Sequence, residues 1–216
     1  MVRSARCFSC LVATGLLILV LGLSFSQTSR AQAWTRTARV VAPIGPGPLQ
    51  TFLDRLARTQ EHAAVPVQRS PTDTTTMPLS ALRDTLRRTH GLDVTSATEV
   101  TVGYRFSIDG MNAFEWQLTE LHFSFGGNSM MASASLLSID PQDEWAQSML
   151  RTDGLSLPSN PDDFRSFRDY FGFLFLTQLD GADIIEIGGK PMPKGFDVRK
   201  RTLIQQVNRF AYSNTY

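Results

Sequence analysis

The sequence predicts an α+β domain in which an antiparallel meander of three to four strands packs against a Phe-rich helix. Two observations carry this expectation. Between Thr98 and Asp109, large and small or polar residues alternate strictly, which is the period of a strand with one buried face. Further on, Phe164, Phe167, Phe171, Leu174 and Gln178 recur on one face of a helical pattern whose far end also carries Phe173, Phe175 and Leu176. Additional N- and C-terminal helices complete the expectation.

The chain opens with Arg3 and Arg6, a 15-residue apolar run from Leu11 to Phe25, and a polar stretch closing on Ala31-Gln32-Ala33. That order predicts a cleavable secretory signal over residues 1–33. The run is shorter than the roughly 20 residues a spanning helix needs, so no membrane span is expected after cleavage. Both cysteines, Cys7 and Cys10, would leave with this leader, giving a chain of 183 residues without thiols. Its stability must then come from packing rather than from disulfides. Loss of Arg3, Arg6 and Arg30 leaves 18 basic and 20 acidic residues, a net charge of −2 with no general attraction for nucleic acid. There is no Asn-x-Ser/Thr acceptor. These features suggest a bacterial periplasmic or extracellular protein.

The organisation expected within the exported part is a lead and helix over 34–62, a linker over 63–78 and one α+β domain over 79–216. Pro48 opens the first helix, whose stripe is Leu49, Phe52, Leu53 and Leu56. That helix is expected either to dock or to stay loosely attached. Pro66, Pro71 and Pro78 mark the linker. A short helix from about 79 to 90 turns Leu79, Leu82 and Leu86 inward and stops at Gly91.

The alternating strand ends in Asp109-Gly110-Met111-Asn112, so residues 113–125 should return beside it as a hairpin partner. This partner changes face midway. Phe114, Trp116 and Leu118 are apolar at even positions, and Leu121, Phe123 and Phe125 at odd ones. A β-bulge near Thr119 and Glu120 reconciles the halves. Gly126-Gly127-Asn128 is a second turn, leading to a third strand over 129–139. Asp140-Pro141 and Asn160-Pro161 read as helix starts for 141–151 and 161–179. A short strand over 183–187, a Gly/Pro/Lys loop over 188–195 and a helix over 197–210 finish the chain.

The string GADIIEIGGKPMPKG at 181–195 resembles, in its first half, the strand motif of dihydropteroate synthase. GADIIEIGGKPM also resembles the strand and turn that end many PDZ domains. A synthase barrel would need several more strand and helix units, and 21 residues follow Gly195. A PDZ domain would need a peptide-binding loop and strand upstream, where this chain has its Phe-rich helix. What the resemblances share is a buried strand leaving through two glycines.

Three histidines offer chemistry. His62 and His90 end helices, where an imidazolium favours the terminal carbonyls. His122 shares a strand face with Glu120 and Ser124, a weak catalytic candidate set whose bland alternative is a polar face turned to solvent. The carboxylate pairs Asp143-Glu144 and Asp162-Asp163 fall in first helical turns, where negative charge complements the helix dipole. No metal site is expected from the His spacing, and no cofactor is implied. The conspicuous charge asymmetry is C-terminal: Lys190, Lys194, Arg199, Lys200, Arg201 and Arg209 face Asp197 alone between 189 and 210. Lys190, Lys194, Arg199, Lys200 and Arg201 are therefore the anion-binding candidates, with backbone amides of the helix start expected to assist. The leading functional expectation is a non-catalytic module that binds an anionic envelope component or a protein partner. The alternative is a small envelope hydrolase using Asp/Glu or the Glu120-His122-Ser124 face.

Overall fold

The computed structural model describes residues 34–58, 66–67, 75–109, 113–126, 136–151, 164–177 and 181–213. The expected leader, His62, the cap at Asn160-Pro161, the Asp162-Asp163 pair, residues 110–112, the turn at 127–128 and the first part of the third strand lie outside them. The fold is α+β, and the described residues form five α-helices and a six-stranded antiparallel sheet.

The strands are β1 (Trp34–Pro43), β2 (Pro66–Val67), β3 (Met77–Pro78), β4 (Glu99–Ile108), β5 (Phe114–Ser124), β6 (Leu136–Ile139), β7 (Asp183–Ile187) and β8 (Lys190–Pro191). Six of them form the main sheet in the order β6-β5-β4-β1-β7-β8, while β2 and β3 pair with each other. The helices are α1 (Pro48–Arg58), α2 (Leu79–Thr85, running on as a π-helical turn to His90), α3 (Glu144–Arg151), α4 (Phe167–Thr177) and α5 (Val198–Ser213).

The sheet is larger than the three to four strands expected, because the extended lead at 34–43 is one of its inner strands and Lys190–Pro191, expected within a loop over 188–195, pairs with β7 as an edge strand. β1 pairs with β4 along its whole length and with β7 on its other edge. Its alternation is muted by Thr37 and Arg39, yet Ala38, Val40 and Ala42 are at most 2% exposed. The core is consequently continuous across the 63–78 division: Leu53 and Leu56 of α1 are fully buried with residues of β4, β5 and α4. The helix stands docked, its Phe52 ring meeting Phe123, Phe167 and Phe171 at centroid separations of 5.7, 5.1 and 5.9 Å. Phe171 and Leu174 of α4 are both fully buried. The Tyr104 hydroxyl of β4 donates a 2.7 Å hydrogen bond to the Phe171 carbonyl, so the buried phenol is satisfied where sheet meets helix.

The bulge lies where the face change demands. Gly103 pairs with Glu120 and Tyr104 with Leu118, leaving Thr119 as the extra residue. Two helix starts differ from expectation. Asp140 caps a turn, its carboxylate accepting from the Gln142 amide, and α3 itself begins at Glu144. The Ser166 hydroxyl accepts from the Asp169 amide, so the described start of α4 is a serine cap at 166. Gly188 and Gly189 turn β7 into β8 with φ of 57° and 77°, the two left-handed residues that a tight hairpin turn requires.

Candidate functional site

Two polar clusters stand out, and the sheet builds the first one. Arg39 of β1, Gly103 of β4 and Glu120 of β5 occupy one register row, extended on the other side by Glu186 of β7. Two strand spacings, roughly 9.6 Å, separate β1 from β5. Their side chains meet because the residue between them has none. A Cβ at Gly103 would lie 2.7 Å from the Thr119 hydroxyl oxygen and 2.9 Å from the Glu120 Cβ. Across that gap Arg39 Nε comes within 3.0 Å of Glu120 Oε2, and Arg39 also reaches Glu186 at 3.6 Å.

His122 completes the cluster, its Nε2 3.3 Å from the same Glu120 oxygen. It is 5% exposed, so this end of the face is not the solvent-facing surface that the alternation implied. Burial, which penalises the imidazolium, is the largest influence on His122 and lowers its pKa; Arg39 acts in the same sense and Glu120 against it. The imidazole is thus neutral near pH 7. Ser124 shares the face, but among the described residues no hydrogen bond joins it to His122. Glu120 and His122 are brought together, and Ser124 is not; the third member is Arg39, four strands' worth of sequence away and invisible to local spacing.

The second cluster surrounds the start of α5. Lys190 on β8, Lys194 in the following loop, and Arg199 and Arg201 in the first helical turn are all exposed. Lys200 is different. It is 3% exposed, and its Nζ donates to Asp183 Oδ1 at 2.6 Å and to the Gly195 carbonyl at 2.8 Å. Asp183 Oδ2 in turn accepts from the Gly195 amide. Burial works to raise the Asp183 pKa, but these bonds outweigh it and hold the carboxyl below its ordinary value. Lys200 therefore pins the loop to β7, and its charge is spent inside the protein rather than offered to a ligand.

The amide field expected at this helix start is also occupied. Asp197 Oδ1 accepts from the Arg199 amide at 2.7 Å, and both its oxygens accept from the Arg199 guanidinium at 3.1 Å. The first helical turn therefore leaves side chains, not the Arg199 amide, as the groups free to meet an anion. Two residues that the sequence reading passed over lie among them, Phe196 at 78% exposure and Val198 at 69%. A hydrophobic staple would pair the residue before the cap with the fourth helical residue. Here these are Phe196 and Arg201, so the ring has no apolar staple partner at the fourth helical position. That mismatch was the available signal.

Among the described residues, no group of three or more His, Cys, Asp or Glu could hold a metal ion, and no helix is long and apolar enough to cross a membrane. No family model matches the chain, and no curated protein or solved structure shows significant similarity to it.

Proposed function

We propose that the protein is an exported, non-catalytic module that binds an anionic component of the cell envelope through the surface made by β8, the loop after it and the first turn of α5. The observation that carries this reading is the arrangement of charge at that surface. Lys190, Lys194 and Arg201 are exposed, and among the described residues none of them is ion-paired. Arg199 is paired to Asp197, and Lys200 is consumed internally. Three exposed, unpaired cations, one on β8, one in the loop after it and one in the first turn of α5, flank the ion pair that holds the loop and form a salt-sensitive attraction for phosphate or carboxylate groups.

The second reading, a hydrolase, draws support from the Glu120–His122 contact. Against it, Glu120 is shared with Arg39, and the face offers His122 no aligned nucleophile among the described residues. Changing Lys190, Lys194, Arg199 and Arg201 to glutamate tests the first reading. Retention on anionic surfaces should be abolished in the variant and should fall steeply with salt in the parent, because exposed charges are screened over about 8 Å at physiological ionic strength. Salt-insensitive retention, or a variant that is retained equally, would contradict it. Hydrolysis of an ester or peptide probe that is lost in His122→Gln would favour the second reading instead.

A further inference from the structure

We infer that the anionic partner is a lipid bilayer surface, into whose interfacial layer Phe196 and Val198 insert while Lys190, Lys194 and Arg201 contact the headgroups. This rests on the anion-binding reading above and names its partner. A carboxylate-rich protein or acidic glycan would explain the cations alone. It would not explain why the two most exposed large apolar side chains of the described residues, two positions apart, fall between Lys194 and Arg201 in the chain. Exposed apolar side chains interspersed along the chain with lysine and arginine are the chemistry of an interfacial anchor, in which area burial and attraction to anionic lipid act together.

The framework behind the tip is built to hold it out. Asp183 fixes the Gly195 amide, Lys200 fixes the Gly195 carbonyl, and Asp197 caps the helix, so the residues on both sides of Phe196 are bonded to the body. An apolar tip with no burial partner and a rigid base avoids the ordering cost that a floppy loop would meet on docking. Beside it lies an open groove of about 730 Å³ between the start of β7 and α5. Phe196 and Ile204 line it together with Arg201, and its two carboxylates, Asp183 and Asp197, are already paired with Lys200 and Arg199, so apolar groups and an unpaired cation face the same space. Among the described residues no helix could cross a bilayer, so attachment through this region would be peripheral.

The experiment is vesicle flotation with the 34–216 chain, which contains every described element, using phosphatidylglycerol/phosphatidylcholine vesicles, pure phosphatidylcholine vesicles and, separately, a soluble polyphosphate column. The parent should bind the anionic vesicles and not the zwitterionic ones. Phe196→Ser with Val198→Ser should lower vesicle partitioning by roughly tenfold to a hundredfold, since burial of each such side chain contributes about a factor of ten when complete. Polyphosphate retention should stay as in the parent. Both side chains face solvent, so an unchanged melting temperature certifies the fold of the variant. Equal vesicle binding by parent and double variant would overturn the inference while leaving anion binding intact, as would a parent that binds polyphosphate but no vesicle. A parent retained on neither overturns the anion-binding reading and the inference with it.

Discussion

The row at Arg39, Gly103 and Glu120 and the tip at Phe196 use the same kinds of side chain to opposite ends. On the sheet, cations and carboxylates are matched, Arg39 with Glu120 and Glu186, and the neighbouring histidine is buried against them. At the tip, one cation is matched and buried, one is matched and exposed, and the others face water beside unpartnered apolar groups. Matched and covered charge is an internal fastener whose loss is felt in stability. Unmatched, exposed charge contributes little to stability, so its loss should be felt in binding. Substitutions at the two places should therefore separate cleanly into folding effects and binding effects.

The largest folding effect should come from the aromatic core that underlies both regions. Phe171→Ala should cost about 3 to 5 kcal/mol in denaturant unfolding, because the ring is fully buried against Phe52 and Tyr170. A cost near zero would mean that α4 does not hold the sheet. Next, the neighbours Lys200 and Arg201 give the sharpest internal contrast. Lys200→Met should cost roughly 2 to 3 kcal/mol, below the full range for a buried pair because the Asp183 side chain keeps 24% of its exposure. Arg201→Met should fall within about 0.5 kcal/mol of the parent while weakening retention on anionic surfaces. Equal costs would erase the distinction between the fastener and the surface.

Gly103→Ala should cost about 1 to 3 kcal/mol, since the new methyl would collide with Glu120 Cβ and the Thr119 hydroxyl oxygen. An unperturbed variant would show that the row does not need its gap. The smallest effect is on pH dependence. His122 has a folded pKa below its unfolded value of about 6.5, so below that pH the unfolded chain binds a proton that the folded chain refuses. Stability should decline as pH falls from about 7 through that window, and His122→Phe should flatten this part of the profile. An identical profile would place the ring in a solvated setting.

Much of the fold was legible because local patterns decide it. The bulge at Thr119 and Glu120 follows from the parity change between Leu118 and Leu121, and the stripe of α1 from its spacing. β1 was not legible as a strand within the sheet, because its pairing with both β4 and β7 is non-local and its outward Thr37 and Arg39 dilute the period. The site was half legible. Charge counting located the C-terminal cations, but nothing in a run of Arg199, Lys200 and Arg201 says which one turns inward; that depends on Asp183, 17 positions before Lys200. Likewise Glu120 and His122 could be paired from their two-residue spacing, whereas Arg39 reaches them only through the sheet.

The central claim is that the tip around Phe196 is the part of the molecule that meets the envelope. The 34–216 chain has no cysteine, so one can be introduced at Phe196 and, as a control, at Arg88, whose side chain is 82% exposed on α2's π-helical extension. Each is labelled with an environment-sensitive nitrobenzoxadiazole dye and titrated with phosphatidylglycerol-containing vesicles. A blue shift and intensity rise at position 196, with none at 88, is the predicted result. No change at 196, or equal changes at both positions, would contradict the claim.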